Sequence, residues 1–357
     1  MPKAEIIKED VAQIRMADLP WRRFYGKTIL ISGANGYVPA YFVHTFLELN
    51  DSKNAGCKII ALCRSEDRAR ERFAEYWGRD DFVLHIQDVC KPIGIGENVS
   101  YFIHAASPAG IRSRHADPAA TFSANVTGCE NMLKLAATNH CEGFLFVSSV
   151  DIYGRMPNGE RLTESRQGSL DTLNVRNAYS CGKRAAETLC AVYCAKYGLP
   201  IVVARPFQIF GPGIALDDGR LHIDFVSQLL SGDQIVLKSD GSAVRSFLYI
   251  TDAITGMLSV LLNGIPGQAY NIVDENGEAS VLELARRMAD LSIGRNIEVV
   301  FDDAARSASG AFPCVTGSSE KLRRLGWLPS LSLNDGAKRM MKYYGLDVSE
   351  EGGISPC

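Results

Sequence analysis

The 357-residue chain has no apolar run approaching the ~18–20 residues that a membrane helix needs, so no membrane association is expected. It lacks an excess of either charge. Lys and Arg number 38 against 41 Asp and Glu, a net charge of −3, and neither a nucleic-acid surface nor an anionic-membrane surface is indicated. The opening stretch, MPKAEIIKEDVAQIRMADLPWRRFYGK, lacks a signal peptide's uninterrupted apolar segment; its apolar spacing predicts one short helix instead. Ten cysteines are present, but no CxxC pair, so no metal centre is expected. Cys63, Cys190 and Cys194 fall inside apolar strand or helix patterns, which points to reduced, buried thiols in a cytoplasmic protein. Internal repeats and low-complexity tracts are also missing.

What the chain does have is alternation. Strand-like runs at 28–32 (TILIS), 58–63 (KIIALC), 82–86 (FVLHI), 101–104 (YFIH), 143–148 (GFLFVS) and 200–204 (PIVVA) are separated by helical patterns such as 117–138 and 177–197. That order predicts βαβ units, a doubly wound parallel sheet and helices on both faces. Beyond 205, short strands, Gly/Pro turns and helices near 280–291 and 334–344 predict a smaller α/β lobe over the C-terminal edge of the sheet, where ligands of open α/β sheets bind. The expected division is a helical extension over 1–26, a sheet domain over 27–204, a lobe over most of 205–345 with about 246–275 returning to the sheet domain, and a tail over 346–357.

The stretch GANGYVPA at 33–40 leaves the first strand. Gly33 ends the strand, Gly36 allows close backbone approach to a pyrophosphate, and the following helix offers free N–H groups and its positive dipole end. The third glycine of such a turn is Pro39 here. Proline is tolerated in a first helical turn but supplies one donor fewer and a bulkier helix–sheet contact. The second strand ends in ALCRSED, with Arg64 in the region where a carboxylate would favour NAD; an arginine can instead accommodate a 2′-phosphate, or merely face solvent.

In NAYSCGKRAAET (177–188), Tyr179 and Lys183 are four apart and share a helix face. A phenol is a poor base near neutrality, and a neighbouring ammonium is expected to lower its pKa. Upstream, FVSSVDIYG carries Ser148, Ser149 and Asp151 to the C-terminal end of the fifth strand. A YxxxK pair about 30 residues after a strand-end serine, with a glycine turn at the first strand, is far more specific than YxxxK alone.

With these motifs the chain resembles the extended short-chain dehydrogenase/reductases, in particular the nucleotide-sugar epimerases, dehydratases and decarboxylases. The resemblance spans roughly 27–345 and includes SGANGYV, QDV (87–89), IHAASPA (103–109), NVTGCENML (125–133), SSVDIYG, RPFQIFGPG (205–213), VRSFLYITDAI (244–254) and KLRRLGWLP (321–329). It implies a Rossmann-type sheet, NAD as cofactor (NADP being kept open by Arg64), a nucleotide-sugar substrate and a homodimer built from the 117–138 and 177–197 helices. By position it implies cofactor contacts from Gly33, Asn35, Gly36, Tyr37, Val38, Arg64, Asp88, Val89, Ala105, Ala106, Ser107 and Pro206, besides Tyr179 and Lys183. It implies catalysis by Ser149, Asp151, Tyr179 and Lys183. Substrate contacts would come from Ser107, Ser149, Gln208, Arg220 and Arg245, with Gln208 standing where the family usually has Asn.

The residues after Ser149 bear on the reaction. Family 4,6-dehydratases carry Asp-Glu there, and Val150 removes the first acid. Decarboxylases carry a small residue and then an acidic one, which Asp151 matches with a shorter arm. A UDP-glucuronate decarboxylase-like enzyme is the leading expectation, with a 4-epimerase, a 4,6-dehydratase and an NADPH-dependent reductase as alternatives; a regulator without catalysis would be expected to lack the Tyr/Lys pair. Other candidates divide. His104 reads as a packed strand residue. Arg112, Arg114 and His115 read equally as contacts for a sugar carboxylate or as a solvated loop. Trp327 reads as structural.

Overall fold

The computed structural model describes residues 3–108, 110–156, 159–302 and 314–349. Ala109 of the AASPAG stretch and 350–357 of the tail lie outside the described residues.

The strands, in chain order, are β1 (Thr28–Ser32), β2 (Lys58–Cys63), β3 (Phe82–Ile86), β4 (Tyr101–His104), β5 (Gly143–Val147), β6 (Ile201–Pro206), β7 (Gln208–Phe210), β8 (Gln234–Leu237), β9 (Val244–Tyr249), β10 (Ala269–Ile272), β11 (Glu278–Ser280), β12 (Glu298–Phe301) and β13 (Cys314–Val315). Seven form one parallel sheet in the order β10-β6-β5-β4-β1-β2-β3. The strand order reverses between β1 and β4, so a crevice opens above their C-terminal ends, the usual ligand position in such sheets. The central strands are buried almost end to end, as expected for a sheet covered on both faces.

The helices α1 (Lys3–Arg15), α2 (Tyr37–Lys53), α3 (Glu66–Arg72), α4 (Ile111–Ala116), α5 (Pro118–Ala137), α6 (Ala178–Tyr197), α7 (Leu221–Ser231), α8 (Ile250–Asn263) and α9 (Val281–Leu291) cover the sheet and build the lobe. Their ends follow local chemistry. Asp117 Oδ1 accepts the Ala120 N–H at 2.9 Å, and Pro118 opens α5 where its missing N–H costs nothing. α6 stops at Gly198, in the left-handed region with φ 66°. The exposed pair Glu66–Arg70 in α3 is the i,i+4 contact its charge pattern predicts.

α8 is buried from Ile250 to Leu262, with Asp252 accepting from the Ser330 and Leu331 N–H groups. Trp327 packs against it, and its indole donates to Thr255 Oγ1 at 3.0 Å. The small lobe is a sheet of β11, β9 and β13 with β7 beside β9, plus the β8–β12 pair. β9 lies in this lobe sheet, so the chain returns to the main layer at α8 and β10, slightly later than expected. α1 packs into the core through Ile6, Val11 and Ile14.

Candidate active site

The crevice above β1 and β4 is lined by backbone. Gly33 follows β1 with φ +67°, and a Cβ placed on it would lie 2.7 Å from the Ala106 Cα. Only glycine lets these two segments approach so closely. Gly36 precedes α2; a Cβ there would press within 3.1 Å of the Gly33 carbonyl oxygen and 3.2 Å of Pro39 Cγ. Asn35 lies in the turn between them. Tyr37 and Val38 are the first helical residues, no side chain caps that end, and their N–H groups lack intrahelical acceptors. Pro39 is buried in the same first turn and leaves α2 unbroken.

Ser32 Oγ ties the floor together. It accepts the Ala105 and Ala106 N–H groups at 3.2 and 3.3 Å and lies 2.7 Å from His104 Nδ1, which makes His104 a packed strand residue. Ser107 Oγ and the Tyr37 hydroxyl are buried with no hydrogen-bond partner. The orphaned Ser107 hydroxyl next to Ala106, the glycine cradle and the uncapped helix start fit a phosphate-bearing ligand such as a dinucleotide. Arg64 is exposed at the end of β2. After β3, Asp88 Oδ1 accepts the Cys90 N–H at 2.9 Å, and Val89 packs 2.7 Å from where a Gly128 side chain would begin. Pro206 closes β6, half-buried.

The second cluster sits at the end of β5. Ser149 caps the turn Val150–Tyr153 and its Oγ accepts the Asp151 N–H at 3.1 Å. Tyr179 and Lys183 reach it from the first two turns of α6, both buried. Lys183 Nζ donates to the Val147 carbonyl at 2.7 Å and sits 5.8 Å from the centre of the Tyr179 ring. Asp151 Oδ2 is 2.6 Å from Arg114 Nη1, and the Arg114 guanidinium lies over the Tyr179 ring at 4.9 Å. Arg114 therefore belongs to the site, whereas Arg112 and His115 beside it are exposed.

Burial pushes the Tyr179 hydroxyl up to about 12, and the Asp151 carboxylate acts in the same direction; a hydrogen bond with Ser149 and the Arg114 and Arg220 guanidinium groups pull it down. Burial pulls Lys183 down to about 8, against the opposing influence of Cys129, Glu187 and Cys190. Burial is the largest influence on each group and drives both toward their neutral forms.

The lobe supplies the remaining side. Gln208 opens β7, half-buried, beside β9, which carries Arg245. Arg245 Nη1 donates to the Val244 carbonyl at 2.8 Å, burial disfavours its charge, and Asp151 supports that charge. Arg220 precedes α7, lies 3.2 Å from Asp218 Oδ1 and sits over the Tyr37 ring at 5.8 Å.

Sequence reasoning missed the support behind Ser149. Ser148 Oγ donates to Glu187 Oε1 at 2.5 Å, Arg205 donates to both Glu187 oxygens at 3.0 and 2.7 Å, and Arg205 Nη1 reaches the Tyr153 hydroxyl at 3.1 Å. The available signal was Glu187 itself, one turn beyond Lys183 on the same helix face. Among the described residues no cluster of His, Cys, Asp and Glu could hold a metal ion, and no helix is long and apolar enough to cross a membrane.

Comparison with known proteins agrees with this arrangement. Residues 29–273 match the NAD dependent epimerase/dehydratase family. UDP-glucuronic acid decarboxylase 5 of Arabidopsis thaliana is 31% identical over 319 residues, 89% of each chain. Among solved structures, dTDP-glucose 4,6-dehydratase of Bacillus anthracis in complex with NAD superposes with a TM-score of 0.74 at 22% identity, covering 89% of this chain and 96% of the other. UDP-glucuronic acid 4-epimerase of Bacillus cereus, in complex with UDP-glucuronic acid and NAD, gives 0.73 at 20% identity over 89% and 98%. At those identities the two structures speak for the fold alone. The chain belongs to the NAD dependent epimerase/dehydratase family.

Proposed function

We propose that this protein decarboxylates UDP-glucuronate, beginning with oxidation at C4 of the sugar. One observation carries the reading: a serine and a single carboxylate, Ser149 and Asp151, stand on one short turn against the buried Tyr179–Lys183 pair, with apolar Val150 where a second acid would be. The decarboxylase name of a relative aligned over nine-tenths of both chains supports it.

The cofactor in this reading is NAD, held by Gly33, Asn35, Gly36 and the Tyr37 and Val38 N–H groups at the pyrophosphate, by Asp88 and Val89 at the adenine, and by Ala105, Ala106, Ser107, Pro206, Tyr179 and Lys183 toward the nicotinamide. When bound, NAD supplies a hydride acceptor for C4 and a donor that returns it, so the cycle needs no outside oxidant. Tyr179 takes the proton from the sugar 4-hydroxyl. Ser149 donates a hydrogen bond to the oxygen that becomes the ketone. A 4-keto uronic acid is a β-keto acid, so the C5–C6 bond breaks with its electron pair passing to the C4 oxygen, and CO₂ leaves. Asp151 is the further acid–base group that reprotonation of C5 requires, and Tyr179 returns the O4 proton. Gln208, Arg220 and Arg245 hold the nucleotide diphosphate from the lobe.

The reading includes a cytoplasmic homodimer. α5 and α6 leave Phe122, Val192 and Tyr197 exposed on one side of the molecule, while Met132 and Leu133 of the same pattern are taken by the core. A second copy would cover the outer set.

Product masses from a panel of UDP-, dTDP-, GDP- and CDP-sugars test the reaction. Loss of CO₂ from UDP-glucuronate is the expected outcome; loss of water or an unchanged mass across the panel would replace it with dehydration or epimerisation.

A further inference from the structure

The least settled group in the site is Arg114. Its Nη1 is bound to Asp151 at 2.6 Å and its plane lies over the Tyr179 ring at 4.9 Å, yet its Nε is buried with no acceptor. A buried guanidinium N–H normally finds an oxygen. The segment that carries Arg114 is docked rather than free. The Arg114 N–H donates to the Gly110 carbonyl at 3.0 Å, the Arg112 N–H reaches the Asp218 carbonyl at 3.4 Å, and Gly110 admits Asp218 where a Cβ would meet its Oδ2 at 2.6 Å. The guanidinium is thus held at the reacting end of the site by α4 and the segment of Asp218 docked on it. Arg114, Arg220 and Arg245 converge there with Lys183, against the carboxylates Asp151 and Asp218. Arg220 and Arg245 serve the diphosphate in the proposed reading, which leaves the unfilled edge of Arg114 for a second anionic group.

We propose that Arg114 is the residue that selects a carboxylated sugar: Asp151 holds its Nη1, and the unfilled Nε–H on the opposite edge of the guanidinium receives the carboxylate at C6. The inference rests on the proposed decarboxylase reading and adds to it the group that distinguishes uronic acid from neutral hexose. It also explains turnover. After CO₂ leaves, the pentose has nothing for the Nε edge to hold, and the product is bound less tightly than the substrate.

The test is calorimetric titration of the NAD-loaded protein with UDP-glucuronate, UDP-glucose and UDP-xylose, for the native chain, Arg114→Met, Arg114→Lys and the double variant Arg114→Met/Asp151→Asn. The double variant leaves no carboxylate unpaired, so it keeps the measurement interpretable if Arg114→Met is poorly folded. The native protein should bind UDP-glucuronate more tightly than the two neutral sugars. Loss of the fork should weaken UDP-glucuronate by about 10- to 100-fold, the usual worth of a charged hydrogen-bonded pair, and leave the neutral sugars within about threefold. Arg114→Lys should recover part of the difference, because it keeps the charge without the fork. Equal weakening of all three ligands, or no change for UDP-glucuronate, overturns the role of Arg114 while the decarboxylase reading stands. If the native protein binds none of the three sugars, both fall.

Discussion

Tyr179 has to give up and regain a proton in a site that favours its neutral form. Replacing it with Phe keeps the ring under Arg114 and removes the hydroxyl. Turnover should drop by about 10²- to 10⁴-fold, with NAD affinity nearly unchanged by titration. Lys183 carries the opposite trade. It is a buried amine whose pKa is pulled to about 8, so in the folded state it holds its proton less firmly than in the unfolded chain. Between about pH 8 and the ordinary lysine value of 10.5 the unfolded chain binds more protons, and this group's contribution to stability rises with pH. Below that window its burial penalty is fully present. Lys183→Met should therefore stabilise the protein at pH 7 by about 1–3 kcal/mol in urea unfolding, abolish activity, and lose its stability advantage as the pH climbs from 8 toward 10. Tyr179, Lys183, Ser149 and Asp151 were legible because their spacing along one strand end and one helix is itself the motif. Arg114 was only half legible. Its helix, α4, is only six residues long and too short to show a period, and what makes it part of the site is a long-range pairing with Asp151, 37 positions away. The balance of desolvation over charge at Tyr179 was not legible at all, since burial of a side chain on an amphipathic helix depends on what packs over it.

The glycine turn and the first helix are the elements with most to lose. Gly33 combines a left-handed backbone with a 2.7 Å clearance against the Ala106 backbone, so Gly33→Ala should push β1 from β4 and lower NAD affinity by at least about tenfold, as read by the nicotinamide nucleotide that co-purifies with each protein. α1 reads in sequence as a plain amphipathic extension. In the structure its Asp10 is fully buried, accepting from Tyr41 at 3.2 Å, from Tyr249 at 3.0 Å and from Arg339 at 2.8 Å. Asp10→Ala would leave Arg339 and two tyrosine hydroxyls without that partner and should cost about 3 kcal/mol of stability in urea unfolding. The strands and long helices could be placed from periodicity to within a residue or two. The pairing of β7 with β9, and β9's place in the lobe sheet, could not, because three- to six-residue strands of the lobe follow tertiary contacts more than local pattern.

As a whole molecule the protein joins a parallel sheet that presents backbone donors to a lobe that presents arginines, and the Tyr179–Lys183 helix stands where they meet. The outer face of that helix and of α5 is the expected dimer contact. Sedimentation at micromolar concentration should give a dimer, and Val192→Glu on the exposed face should give a monomer with its fold intact. Loss of C6 as CO₂ with no net change in the cofactor defines the proposed reaction. It is tested most directly by incubating the NAD-loaded protein with UDP-glucuronate labelled at C6 and following labelled CO₂ together with nicotinamide absorbance. Labelled CO₂ and UDP-pentose should appear in equal amounts over many turnovers while reduced nicotinamide does not accumulate beyond the protein concentration. Label retained in a UDP-hexuronate of unchanged mass, or one reduced nicotinamide formed per product, would contradict it.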